Sequence, residues 1–230
     1  AAIIHDGRTI SFAALDRRAR AVAAGLAALG VGEGDRVAIW LPNVPEYVET
    51  FLACCHLGAI AVAVNTRFRA VEVGDIVGRT GARALVFSPH FKGIDFPAVL
   101  REVDPAALSA LETVLTVGEA AGADHLAHAH TLPLADIAAA EPLARSRARP
   151  DLPCKIFTTS GTTSGPKFVL HNQATASRHG ADVAAAFGYG ADAVLLQAVP
   201  LCGVFGFAQI MSALAGGRPS VLMPVFDAAE

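Results

Sequence analysis

Apolar residues fall along this chain in two patterns. Some form unbroken runs, and others recur every three or four positions. The runs over 37–41, 59–64 and 84–87 carry no charge, as expected of strands covered on both faces. Between them lie stretches with helical spacing. Phe12, Leu15, Ala19, Val22, Leu26 and Leu29 mark the buried face of a first helix, with Asp16, Arg17, Arg18 and Arg20 largely elsewhere. Thr9 and Ile10 before it form a short strand candidate, Ser11 is placed to cap the helix, and Gly30 to end it. Asn43 and Pro45 are placed to open a second helix as cap and early helical residue. Val44, Val48, Phe51, Leu52 and Cys55 would face inward, and Gly58 would close it. A third helix is predicted over 70–79. Strand and helix thus alternate with short connections, which predicts an α/β chain around a mainly parallel sheet.

From residue 90 to 150 the periodicity fades. A helix is predicted over 96–100 and a strand over 113–117, but 120–140 is Ala-rich with few large apolar residues. His125, His128 and His130 cluster there. With no acidic or thiol partner at fixed spacing, they read as part of a solvated loop and not as a metal site. Residues 141–153 hold three prolines and three arginines and read as the connection between two halves, 1–150 and 151–230.

The second half opens on the stretch with the most chemistry in it. Ile156 and Phe157 are apolar, as are Phe168, Val169 and Leu170, so two short strands are predicted. Between them stand Thr159, Ser160, Gly161, Thr162, Thr163, Ser164, Gly165, Pro166 and Lys167. Two glycines and a proline exclude a helix or strand interior. Exposed backbone N–H groups, five hydroxyls and one compact cation make a cradle for polyphosphate. A Ser/Thr/Gly run can also be a plain solvated turn; the flanking strands and the closing Pro-Lys favour a ligand. This is not a Walker A loop, because Pro166 precedes the lysine, Phe168 follows it, and no helix is predicted there. Beyond it, Asn172 is placed to cap a helix running to Phe187, with Gly188 at its end. Gly188-Tyr189-Gly190-Ala191-Asp192-Ala193 fits a loose dinucleotide fingerprint but follows a helix, so it is rejected. Strands are predicted over 194–197 and 220–223, with a helix through 209–214.

Composition narrows the choices. The 230 residues carry 18 basic and 21 acidic side chains, a formal charge of −3, which gives no electrostatic reason to expect nucleic acid as a partner. Residues 193–217 are uncharged and long enough to span a bilayer. Gln197, Pro200, Gln209 and several glycines interrupt them, so a buried strand, a turn at Pro200-Leu201-Cys202-Gly203 and a buried helix are expected instead. Cys54, Cys55, Cys154 and Cys202 form no Cys-x-x-Cys, which favours buried thiols in a reducing compartment over zinc or disulfides. Ala1 to Ile4 lead straight into His5 and Asp6, without a signal-peptide pattern, so a cytoplasmic location is expected.

The loop from Thr159 to Lys167 resembles the Thr-Ser-Gly-Thr-Thr-Gly-x-Pro-Lys-Gly signature of the acyl-adenylate-forming superfamily. Ser164 and Phe168 stand where that signature has glycine. Leu41-Pro42-Asn43-Val44-Pro45-Glu46 is similar to the family's Leu-Pro-Asn-x-x-Glu segment. Residues 58–62 with Asn65 and Glu72 resemble another, with Ala63 in place of its usual proline. These last two segments, in the first half of the chain, read as structural, with no catalytic role assigned. Pro200-Leu201-Cys202-Gly203-Val204-Phe205-Gly206 resembles the Pro-Leu-Phe-His-x-x-Gly segment that lines the acyl pocket, with Gly203 where histidine is usual, and Phe226-Asp227 resembles the Phe-Asp that follows.

The resemblance implies two doubly wound, mainly parallel sheets with flanking helices. It implies that the loop binds the phosphates of ATP and that Cys202, Gly203, Val204, Phe205 and Gly206 line an acyl pocket. It also implies the reaction: a carboxylic acid and ATP give acyl-AMP, and a thiol, CoA or that of a carrier protein, displaces AMP. Mg2+ would assist, but no ligand for it is evident here. The family's Tyr-Gly-x-Thr-Glu and Thr-Gly-Asp segments and its C-terminal lysine are absent. The chain therefore reads as the first part of an adenylating enzyme, inactive by itself, with the CoA site elsewhere and no catalytic residue assigned here. A non-catalytic nucleotide-binding or interaction module that keeps the fold is the alternative, as is an adenylation enzyme loading a carrier protein, and a homo-oligomer is compatible with any of them.

Overall fold

The computed structural model describes residues 1–118, 126–159 and 166–225. The chain opens with a hairpin, β1 (Ile3–His5) and β2 (Arg8–Ile10), turned through Asp6 and Gly7 at positive φ. Then come α1 (Phe12–Ala28), β3 (Arg36–Trp40), α2 (Pro45–Leu57), β4 (Ile60–Ala63), α3 (Ala70–Thr80) and β5 (Ala84–Phe87). This is the alternation that the apolar pattern predicts. Ser11 caps α1, its Oγ accepting from the Ala14 N–H at 3.1 Å. A small hairpin, β6 (His90–Phe91) with β7 (Ile94–Asp95), leads into α4 (Phe96–Arg101), a 3-10 turn at Pro105–Leu108, and β8 (Thr113–Thr116). Part of the Ala-rich stretch expected to be loop is ordered structure: β9 (His130–Pro133) and α5 (Leu134–Ala138). There Leu134 and Ile137 are buried, few as they are. His128 hydrogen bonds through Nε2 to the Leu108 carbonyl at 3.1 Å and His130 sits in β9. His125 lies outside the described residues.

The second half contributes β10 (Pro153–Thr159), β11 (Lys167–Asn172), α6 (Gln173–Phe187), β12 (Leu195–Gln197), α7 (Val204–Ala215) and β13 (Ser220–Leu222). Asn172 caps α6 as expected, accepting from Thr175 N–H at 2.8 Å. The uncharged stretch 193–217 is the expected strand, turn and helix. Among the described residues no helix is long and apolar enough to cross a membrane.

Among the described residues the strands form a seven-stranded sheet in the order β11-β10-β4-β3-β5-β8-β9, and a four-stranded sheet in the order β12-β13-β1-β2. Every pairing in the larger sheet is parallel except β10 with β11, and every one in the smaller is parallel except β1 with β2. The two sheets do not part at residue 150. β10 and β11 complete the larger sheet, while β1 and β2 from the other end of the chain pair into the smaller.

The apolar runs are uniform in sequence, but their side chains divide by the two-residue period of a strand. Val37 and Ile39 join the core beneath α1 and α2, whereas Ala38 and Trp40 join the core beneath α3 and α4. Ala84 and Val86 against Leu85 and Phe87 repeat the division one strand over. Helices cover both faces, so the doubly wound α/β class is the observed one.

Candidate functional site: the hairpin end and the 200–206 turn

β10 lies between β4 and β11. It runs parallel to β4, with Lys155 beside Ala61, and antiparallel to β11. The antiparallel register matches Phe157 with Val169, Thr158 with Phe168 and Thr159 with Lys167. Thr159 and Lys167 are therefore cross-strand neighbours at the loop end of a hairpin, and both side chains are exposed. Pro166 adjoins them. Ser160, Gly161, Thr162, Thr163, Ser164 and Gly165, the rest of the expected cradle, lie outside the described residues. Since Thr159 ends a strand of the parallel sheet, the loop leaves from the sheet's carboxyl edge, where open α/β sheets take their ligands.

The second stretch, from Pro200 to Gly206, is a turn that becomes the start of α7. Gly203 N–H donates to the Pro200 carbonyl at 3.0 Å, and Phe207 N–H donates to the Gly203 carbonyl at 2.9 Å. Its two glycines differ in kind. Gly203 has φ −94° and ψ 156°, open to any residue, and a Cβ there would meet only Pro200 O at 3.4 Å. A Cβ on Gly206 would run into the Pro200 carbonyl and come within 2.7 Å of Val199 O, so that position admits glycine alone. Cys202 and Gly206 are buried, Gly203 is half-buried, and Val204 and Phe205 are exposed. α7 follows the turn directly and runs through the predicted 209–214.

Asn43 holds this turn. It is not the cap of α2: Val44 occupies that position, with no side-chain cap bond, and Pro45 is the first helical residue. The Asn43 side chain is buried and reaches across to the other half of the chain. Its amide donates to the carbonyls of Gln197 (3.0 Å), Val199 (3.1 Å) and Met223 (3.2 Å), and its Oδ1 accepts from Leu201 N–H at 2.8 Å. An asparagine between two prolines looks like a cap in sequence; only the long-range pairing shows the clamp.

The hairpin and the turn meet through aromatic rings. Phe207, next after Gly206, packs edge-on against Phe157 of β10 at 5.3 Å and against Phe51 of α2 at 4.9 Å. Behind those rings lies a residue the sequence reading passed over. Lys155 is fully buried, donating from Nζ to Tyr47 Oη at 2.7 Å. The rings of Tyr47, Phe51, Phe157 and Phe207 surround the ammonium at 4.7 to 5.5 Å. Burial lowers Lys155 to about 8, against partial compensation from the nearby cysteine thiols. Burial also pushes the Tyr47 hydroxyl well up and the Cys54 thiol to about 12. The four cysteines are free: three are buried and Cys55 is half-buried. Among the described residues, no group of three or more His, Cys, Asp or Glu could hold a metal ion.

An exposed ammonium and hydroxyl beyond the end of a parallel strand, with a glycine-shaped turn nearby, suit a ligand that is part anion and part apolar. The family is established by comparison: the chain belongs to the AMP-binding enzymes, which it matches over residues 1–230. It is 31% identical over 222 residues to the long-chain-fatty-acid–CoA ligase FadD13 of Mycobacterium tuberculosis, covering 96% of this chain and 41% of that one. It is 35% identical over 229 residues to a methyl-dioxo-octahydroindenyl-propanoyl:CoA ligase of Rhodococcus jostii, covering 95% and 43%. The apo structure of MbtA from Mycobacterium smegmatis superposes with a TM-score of 0.83 at 26% identity, over 97% of this chain and 40% of that one. The chain thus spans about two-fifths of the length of the curated relatives it matches.

Proposed function

We propose that this chain is the N-terminal, ATP-binding part of a cytoplasmic acid–CoA ligase. Residues 151–230 supply the phosphate loop on a frame begun by residues 1–150. The observation that carries the reading is the hairpin register, which puts Lys167 beside Thr159 at the carboxyl end of a parallel strand, bracketing the signature loop. The named ligase relatives, which act on carboxylic acids of different shapes, support it.

In the first step the acid's carboxylate attacks the α-phosphorus of ATP, the bond to the β-phosphate breaks, and pyrophosphate leaves with the electron pair. Negative charge accumulates on that leaving group. Lys167 and the loop from Thr159 to Pro166 would hold the β- and γ-phosphates and offset that charge, a positioning and electrostatic role. The turn from Cys202 to Gly206 would flank the acyl part. CoA thiol then displaces AMP. Mg2+ carried with the ATP phosphates would add to that charge neutralisation.

The test is acid-dependent exchange of pyrophosphate into ATP by the full-length protein, run over a panel of acids. Exchange with at least one acid is expected, and exchange with none would overturn the ligase reading in favour of a non-catalytic module. The 230 residues alone are expected to give no exchange. Robust acid-dependent exchange by them would show that the catalytic groups lie within this chain after all.

A further inference from the structure

Phe168 departs from the family signature, and the fold gives it a partner that the sequence pattern does not suggest. Arg79 sits in the last turn of α3, 87 residues before the Pro166 carbonyl to which its Nη1 donates at 2.9 Å. The same guanidinium lies over the Phe168 ring, 4.4 Å from its centroid. Asp75, one turn back on α3, accepts from Nη1 at 3.0 Å and fixes its direction. Pro166 and Phe168 are the two neighbours of Lys167. A planar, permanently charged group therefore grips the chain on both sides of that lysine while Lys167 itself stays exposed.

We propose that Arg79 is a positioning residue: it clasps the exit of the loop and fixes where the Lys167 ammonium stands. This rests on the reading of Lys167 as a phosphate ligand. A glycine at 168 would leave the exit free to move; a ring at 168 gives Arg79 a surface to hold. The clasp adds no contact to the nucleotide. Its loss raises the cost of ordering Lys167 when ATP binds, so it acts on ATP and not on the acid.

The experiment uses the full-length enzyme and measures KM for ATP, KM for the acid, kcat and Tm in Arg79→Ala, Arg79→Lys, Phe168→Leu and Lys167→Ala. Arg79→Ala is expected to raise KM for ATP roughly tenfold, as loss of a charged hydrogen bond and a stacked cation would, with KM for the acid unchanged. Arg79→Lys, which keeps a donor but not the plane, should fall between Arg79→Ala and the parent, and it carries the test if the alanine variant does not fold. In Phe168→Leu the effect of Arg79→Ala should shrink. If Lys167→Ala weakens ATP use but the Arg79 variants do not, or if they lower Tm and impair both substrates in parallel, the clasp is only a fold contact and the proposal fails. If Lys167→Ala leaves ATP kinetics unchanged, the phosphate reading fails first, and the proposal with it.

Discussion

Two lysines lie on the two strands of one hairpin and have opposite surroundings. Lys167 begins β11 at the hairpin's loop end, exposed beside Thr159. Lys155 lies near the base of β10, enclosed by four aromatic rings and bonded to one phenol. The same side chain is available to a ligand at one end and withheld from it at the other. A lysine's use therefore follows from its place in the sheet register and the depth of the strand, and residue type alone does not assign it.

The largest effect expected is on the exposed lysine. Lys167→Ala should lower kcat/KM for ATP in acid-dependent AMP formation by roughly two to three powers of ten, the scale for removing one preorganised electrostatic contact, with little change in Tm. A fall in Tm with intact kinetics would turn the comparison around.

The buried lysine should show itself in stability. With Lys155 at about 8 in the fold and 10.5 in the unfolded chain, the unfolded state binds more protons between those values. The parent's stability from this group therefore rises as pH climbs from 8 to 10.5. Lys155→Met removes that dependence. The difference in unfolding free energy between parent and variant should move by about 3 kcal/mol in the parent's favour across the window. Urea unfolding on either side of it gives the measurement, and a flat difference would refute the burial argument.

Smaller effects test the wall beside the hairpin. Asn43→Ala leaves the Met223 carbonyl and the Leu201 N–H without their partner, while Gln197 O and Val199 O keep other donors; it should cost about 2 kcal/mol, seen as a lower urea midpoint at unchanged slope. Gly203→His should shift preference toward smaller acids by roughly tenfold with KM for ATP unmoved, because the backbone at 203 accepts any residue. Parallel loss with every acid would show that the turn, and not a pocket, was disturbed.

Much of this was readable from the chain. The apolar runs gave β3, β4, β5 and the two hairpin strands, because a strand covered on both faces leaves a dense local signal. Ser11, Gly58, Asn172 and Gly188 act at helix ends as expected, since capping is decided within a few residues. β9 and α5 were missed because alanines carry little periodicity. Asn43, Lys155 and Arg79 were missed for another reason. Each acts through a partner far along the chain: Asn43 through Leu201 and its neighbours, Lys155 through Tyr47, Arg79 through Pro166. Local pattern holds no trace of such pairs.

The pairing of β1 with β13 bears on how the protein is made. Ile3 lies beside Ser220, and His5 reaches the Leu222 carbonyl across 217 positions of sequence. On a ribosome adding 5–20 residues each second, β1 waits about 10–40 s for that strand to be synthesised. In that interval Ala2 and Ile3, fully enclosed in the finished molecule, are open to whatever is nearby. The larger sheet, whose strands end at Asn172, can assemble during the wait. The smaller sheet can close only once β12 and β13 have been made, after the strands of the larger one.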